Sequence, residues 1–515
     1  MNYDVSKENL SAIESAFEGC KEVPIDIDFS LPDYCPDIQK ILKCSVTPNI
    51  TSRNISGGQI SIDGNAEIKI IYVDSDSSKM RCCENSATFS ASIDINNIAE
   101  NAVVFTLAKI EYMNCRAVSP RKIDLHGAIS VCAKVYQKNN LEISSSVNGK
   151  DTEQKIEKVS VSNLAGLGQQ QFSINETLEV SENKPYPEMI VNSEVIFLKS
   201  DPKIMPNKVV VKGDLIVKIL YIGDMESGST EKLEYQIPIS QIVDVPGISE
   251  ECQCITKMEI LDTKINLPTN ENSENGTNLI SINIKAAATA FAFCPKDIDV
   301  VSDVYSRERE VENTITQLNI NKILKNFTEE LSFQEKIEIP NVKIKEIINI
   351  TPAISAVETI SEDEKITFKG KLNLGILGID EEEFPIYAER NINFEIASNE
   401  TTDGENINFQ TEIIPKEIKI ISQDDGKIEF KLSLVIYATS YERQSINMVT
   451  DVESDESKNY LNDKNPAVTV YFAEGNESIW DIARKYHSSV SSVKEENNIS
   501  EDALEESQMI LIPSK

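Results

Sequence analysis

ISIDGNAEIKIIYV, residues 60–73, alternates apolar and polar side chains around a central glycine, and the pattern returns twice. VVVKGDLIVKILYI (209–222) and ITFKGKLNLGILGI (366–379) superimpose on it without a gap, aligning Gly64, Gly213 and Gly370. Two residues after each glycine stand Ala66, Leu215 and Leu372; four after, Ile68, Val217 and Leu374; six after, Ile70, Ile219 and Ile376. A period of two places these side chains on one face of an extended chain, so each stretch predicts a strand with one face on a core. A glycine in mid-strand predicts a bend or bulge. Each strand then runs into an acidic turn: DSD, GD or DEEE.

The flanks repeat in the same order. Upstream of each strand come a proline-bearing segment and an apolar strand: LPDYCPDIQKILKCSV, KPYPEMIVNSEVIFLK and IEIPNVKIKEIINITP. Downstream come two strands, VVFTLAKIEYMNCRAV with KIDLHGAISVCAKVY in the first copy. The glycines lie 149 and 157 residues apart. The expected fold class is therefore mainly β: three antiparallel repeats, sandwich or barrel-like, each of six or more strands joined by polar turns. Expected bounds are 23–161, 164–306 and 327–450 for the repeats, 452–465 for an acidic linker, and 466–515 for a small terminal module. NGKDTEQKIEK (148–158) reads as a linker or long hairpin loop, and ENTITQLNINKILKNFTEE (312–330) as a short helix before the third repeat.

Composition narrows function. With 84 acidic against 50 basic residues the formal charge is −34. Such a surface repels nucleic acid and anionic lipid, so no nucleic-acid partner is expected. No run of 18 apolar residues occurs and the N-terminus lacks a basic start with an apolar run, so neither membrane insertion nor export is expected. The ten cysteines all precede Pro295. None forms a C-x-x-C pair, and they read as reduced, packed thiols rather than a zinc site. Two histidines, His126 and His487, leave little room for a histidine-centred triad or metal site. No phosphate-binding glycine motif occurs. The expectation is no catalytic residue, no metal and no cofactor; His126 is the nearest catalytic candidate, with no evident partner in sequence.

After the linker, PAVTVYFAEG gives a strand ended by Gly475. Ser478 is placed to cap a helix with Asp481 three residues on, a capping-box pattern. Ile479, Ile482, Ala483 and Tyr486 form its apolar face, and Trp480 is the only tryptophan of the chain. Ser489 can cap a second helix bearing Val490 and Val493, and MILIP (509–513) closes the module as a strand. The order is β-α-α-β. From Pro466 to Lys515 there are nine acidic and four basic residues, a net of −5.

YFAEGNESIWDIARKYHSSVSSVKEENNISEDALEESQMILIP resembles a LysM domain through Tyr471, Gly475, Ile479, Trp480, Ile482, Ala483, Tyr486, Asn497, Asn498, Gln508, Ile510, Ile512 and Pro513. That resemblance implies a shallow groove for N-acetylglucosamine polymers, made here by Gly475 to Ile479 and Asn498 to Ala503. The candidate groove or partner residues are Gly475, Asn476, Glu477, Ser478, Ile479, Trp480, Asn497, Asn498, Ile499, Ser500 and Met509. The chain departs from the family's pattern there: the usual Asp-Thr is Asn476-Glu477, and the glycine before Gln508 is Ser507, reached through acidic DALEE. Trp480 is expected to pack the small core against the second helix.

The three β repeats resemble the SPOCS domain, and with the terminal module they resemble the SipL-type spore coat morphogenetic proteins. The resemblance implies a non-enzymatic scaffold in the mother-cell cytoplasm, on the outer surface of the forespore. It implies a LysM contact with the basement-layer coat ATPase SpoIVA and β repeats joined to other coat proteins. Edge strands offer self-association as well. The alternative is a cell-wall protein binding peptidoglycan or chitin-type glycan.

Overall fold

The computed structural model describes residues 3–95, 98–99, 101–149, 151–268, 278–340, 343–402, 406–424, 426–460 and 467–513. The chain is mainly β. The first eighteen strands fall into three groups of six: β1 (Asp4–Ser30), β2 (Ile38–Ser56), β3 (Gln59–Asp74), β4 (Met80–Asp94), β5 (Val103–Ser119) and β6 (Lys122–Asn148); then β7 (Thr152–Glu179), β8 (Met189–Met205), β9 (Lys208–Asp224), β10 (Ser229–Asp244), β11 (Gln253–Asn266) and β12 (Leu279–Ser306); then β13 (Arg309–Glu338), β14 (Ile344–Glu362), β15 (Lys365–Asp380), β16 (Pro385–Thr401), β17 (Ile407–Asp424) and β18 (Lys427–Asn459). Each group forms two three-stranded antiparallel sheets with one order: second–third–fourth strand, and first–sixth–fifth. The quoted glycine strands are β3, β9 and β15, the centre strands of the first kind of sheet.

The repeat is physical, not only statistical. Ile60, Ile62, Ala66, Ile68 and Ile70 of β3 are buried between the two sheets of the first unit; Leu215, Val217 and Ile219, and Phe368, Leu372, Leu374 and Ile376, do the same in the others. Each centre strand ends in an aspartate that folds the next turn back on itself. The Asp74 carboxylate accepts the Ser77 N–H at 2.6 Å, Asp224 accepts Glu226 N–H at 2.9 Å, and Asp380 accepts Phe384 N–H at 2.8 Å. This is why the turns read as acidic: a short carboxylate replaces the missing backbone acceptor. Eight residues after the glycine, Tyr72 and Tyr221 donate to the carbonyls of Pro36 and Pro185, at 3.1 and 2.9 Å. The third unit has Gly378 at that position.

The central glycines have a steric reason besides the expected bulge. A Cβ on Gly64 would lie 2.0 Å from the ring of Phe89 on β4, and one on Gly370 would lie 2.6 Å from Phe394 on β16. The glycine gives a neighbouring aromatic ring its seat. The expected bulge lies across the ladder from the glycine: the flanking strand shifts register opposite Gly64, between Ile50 and Ser52, and opposite Gly370, between Ser355 and Val357.

The first and last strands of each unit run beyond their own sandwich, and their outer halves meet. Leu10 and Ile143, Val159 and Val300, and Leu318 and Ile446 share one apolar cluster drawn from all three units. Ile71, Leu220 and Leu377, late in the three centre strands, form another. The units are thus packed around common cores. A cavity of about 970 Å³ lies where they meet, walled by the rings of Phe105, Tyr136 and Phe291 and by the Lys199–Glu412 ion pair of 2.6 Å.

Several expectations change. Residues 312–330, expected as a helix, lie within β13, because the long β18 supplies a pairing partner along their whole length. Of 148–158, expected as a linker or long hairpin loop, Asn148 still belongs to β6 and Thr152 onward is already β7. Residues 452–459 of the expected acidic linker continue β18; 461–466 lie outside the described residues. Four cysteines are not thiols. Cys20 and Cys132 face each other in register across β1 and β6 and form a disulfide, as do Cys252 and Cys294. Burial pushes the thiols of Cys82, Cys83 and Cys254 up to about 12, so these stay protonated and inert.

Candidate functional site

The terminal module is β19 (Val468–Ala473), α1 (Ile479–Lys485), α2 (Val490–Asn497) and β20 (Gln508–Pro513), with the two strands paired antiparallel. Ala473, Ile479, Ile482, Ala483, Val493, Leu504, Ile510 and Ile512 make its core. Ser478 and Ser489 hold the extended N-cap conformation, yet neither side chain makes a capping hydrogen bond, so the expected capping box is not formed. The start of α1 is satisfied across the module instead: Ile479 N–H donates to the Asp502 carbonyl at 2.9 Å.

That bond is one of a set. Asn476 N–H donates to the Leu504 carbonyl at 2.8 Å, Leu504 N–H donates to the Glu477 carbonyl at 3.0 Å, and Ser478 bridges to Ala503. Gly475 N–H donates to the Ser507 hydroxyl at 3.1 Å. The loops 474–478 and 500–507 are therefore stitched to one another through backbone groups. Glu477 is held by the Tyr471 hydroxyl at 2.9 Å and by Glu474 N–H at 3.0 Å. Glu501, Asp502, Glu505 and Glu506 stand exposed around these loops.

The structure separates the candidate residues. Gly475, Asn476, Glu477 and Ser478 belong to the stitched loops, with exposed Ser500 on the opposite loop. Ile479 is fully buried in the core, and Ile499 packs against that core. Asn497 clamps α2 to β20: its Nδ2 donates to the Val493 and Leu511 carbonyls at 2.7 and 2.6 Å, and its Oδ1 accepts Leu511 N–H at 2.7 Å. Asn498 ends α2 in the left-handed conformation, φ 53°, which asparagine tolerates well. Met509 is on the outer face of the hairpin, opposite Phe472.

Trp480 packs against the module's core, which includes Val493 of α2, and also reaches beyond the module. Its indole N–H donates to Asp303 Oδ2 at 2.9 Å, and its ring meets Tyr305 edge-on with centroids 5.0 Å apart. Arg484 pairs with the same Asp303 oxygen at 2.6 Å. Tyr305 is buried within the module's core, and its hydroxyl donates to the Ser488 carbonyl at 2.6 Å. Burial raises the Tyr305 phenol above its ordinary value, which keeps it a donor. Asp303 and Tyr305 end β12, so the last strand of the second unit plugs into the module. His487 stacks on Tyr460 at 3.8 Å, and burial lowers its pKa.

His126 does have partners. Asp26, its register neighbour on β1, bonds Nδ1 at 2.6 Å, and Asp124 bonds Nε2 at 2.9 Å. Asp124 is also held by Arg116 at 2.6 Å. Asp26 raises the His126 pKa most, and Asp124 adds to it. The group is a polar network on a strand face in which exposed His126 bridges the carboxylates of Asp26 and Asp124.

Residues 37–118 and 187–267 match the family model described as SipL, SPOCS domain, and residues 475–513 match the LysM domain model. The chain carries SPOCS domains of the SipL type and a LysM domain. No curated protein and no solved structure matches it. The two SPOCS spans cover the same part of their units, β2 to β5 and β8 to β11. The third unit of this SPOCS–LysM chain, outside those spans, has the same six-strand order. Both matched families are non-catalytic, and they fit a sporulation coat or cell-wall binding protein. No described helix is long and apolar enough to cross a membrane.

Two features escaped sequence reasoning. Asp303 lies 177 residues before its partner Trp480, and nothing local marks it. The outer hairpin face was legible: in VTVYFA both alternating sets, Val468-Val470-Phe472 and Thr469-Tyr471-Ala473, are largely apolar, whereas a strand with one wet face should show one polar set.

Proposed function

We propose that this chain is a non-enzymatic scaffold of spore coat assembly. Its LysM module docks a basement-layer coat ATPase of the SpoIVA kind, and its three β units join other coat proteins around the forespore, from the mother-cell cytoplasm. The observation that carries this reading is the state of the loops where a LysM groove is expected. Their backbone groups bond one another, and exposed carboxylates surround them. Glycan recognition relies on free backbone donors and ring faces, so this arrangement favours a protein contact. The architecture supports it further: three units packed around shared apolar clusters, with a terminal module seated on β12, present several surfaces on one chain, and contacts on one chain reinforce one another through effective concentration.

The LysM match itself keeps the glycan reading as the alternative. The test uses the purified full chain against immobilised SpoIVA-type ATPase and against chitin and peptidoglycan oligomers. Saturable binding to the ATPase, lost on deleting 466–515, with none to the oligomers, supports the scaffold. Binding to the oligomers alone overturns it.

A further inference from the structure

Four exposed large apolar side chains share one small surface, and Phe472 among them is one of the two most exposed of the described residues. Phe472 is 77% exposed, Met509 54%, Val470 52% and Val468 43%. The register makes them neighbours: Phe472 faces Met509, Val470 faces Leu511, and Val468 faces Pro513. All lie on the outer face of the β19–β20 hairpin, while Tyr471, Ile510 and Ile512 point into the module core. The other exposed apolar residues, such as Ile55, Ile242 and Ile421, are spread over the three β units. An apolar surface gathered this way on a module of about fifty residues is the signature of an interaction site. The face stays exposed among the described residues, while the module seats on β12 through Trp480 and Arg484 of α1.

We propose that the outer hairpin face, centred on Phe472 and Met509, is the surface through which the LysM module holds its protein partner, and that this partner presents an apolar centre rimmed by lysine or arginine. This rests on the scaffold reading above and names the site within it. The charge argument selects the occupant. The hairpin strands themselves carry no charged residue. Beyond the Phe472–Met509 pair stand Glu474, Glu505 and Glu506, all exposed, with the latter two lying against Gly475. A second copy would bring the same carboxylates, and the chain already carries −34, so self-pairing is opposed. An anionic lipid surface is opposed for the same reason. A basic rim answers it, with a buried aromatic anchor at the centre and polar contacts around it.

The test compares the native full chain with Phe472→Ser/Met509→Ser, Glu505→Lys/Glu506→Lys and, as a surface control, Ile421→Ser, each titrated against purified SpoIVA-type ATPase. The expected result is a loss of about 30-fold or more for the hairpin pair, about 5- to 10-fold for the charge reversal, and no change for the control. Trp480 emission, on the opposite side of the module, verifies that each variant is folded and seated. Native affinity in the folded hairpin pair overturns the face and leaves the scaffold reading standing. Failure of the native chain to bind overturns both. Concentration-dependent dimers abolished by the hairpin pair identify a second copy as the occupant and overturn the partner chemistry.

Discussion

Replacing Asp303 by alanine should release the LysM module from the body without touching a LysM residue. One carboxylate oxygen takes both the Trp480 indole N–H at 2.9 Å and the Arg484 guanidinium at 2.6 Å. The indole bond contributes about 1 kcal/mol. The ion pair contributes at most about 1 kcal/mol, because the Arg484 side chain is 50% exposed and solvent screens it. The loss is therefore about 2 kcal/mol, or about 30-fold in the docking equilibrium. The Trp480–Tyr305 edge contact and the Tyr305–Ser488 bond remain, each about 1 kcal/mol. Asp303→Asn is the companion: with its single amide oxygen turned to the indole it keeps that bond, drops the charge toward Arg484 and gives up the acceptor for Val304 and Asn313 within the body, so about 1 kcal/mol of docking is lost. The chain's single tryptophan makes the assay direct. Acrylamide quenching of Trp480 followed through a urea series reports undocking; the transition should move to lower urea in the order native, asparagine, alanine. Identical quenching curves for all three would refute the docking geometry.

Gly64→Ala should destabilise the first unit by about 1–3 kcal/mol, since its Cβ would overlap the Phe89 ring; calorimetry of the native and variant chains checks this, and an unshifted melt contradicts the ring-seat account. Cys132→Ser removes a cross-link spanning 112 residues and should cost about 3–5 kcal/mol of first-unit stability, seen by denaturant unfolding with and without reductant; equal curves would mean that the pair is reduced in solution. His487 has a folded pKa lowered by burial, so its protonation favours the unfolded module. Its contribution is intact above the unfolded value of about 6.5 and is lost as pH falls through the lower folded value. Melts followed by Trp480 should weaken between pH 7.5 and 5.5 in the native chain and less in His487→Phe.

Much of this protein could be read along the chain. Period-two alternation is a local property of an extended backbone, so ISIDGNAEIKIIYV and its two copies marked strands with one face on a core wherever they occurred. The aspartates after them marked turns because Asx hydrogen bonds span only a few residues. The LysM helices were equally local, with Ile479, Ile482, Ala483 and Tyr486 on one face. Residues 312–330 misled because Ile315, Leu318 and Ile323 also suit a helix; the choice was made by β18, more than a hundred residues later, whose exposed edge needed a partner.

By itself, then, the sequence determined the repeat, the strand faces, the turn chemistry and the terminal β-α-α-β order, because each depends on neighbours a few residues apart. Only the tertiary structure decided which sheets the strands join, that Cys20 meets Cys132, that the outer halves of the long strands share one core, and that Trp480 finds Asp303. Those outcomes depend on register and on surfaces brought together from distant parts of the chain, and no short-range pattern encodes them. The same reason separates the two readings of the LysM module: its loops carry the residues of a groove, but their hydrogen bonds to each other, and the apolar hairpin left facing outward, exist only once the chain has closed on itself.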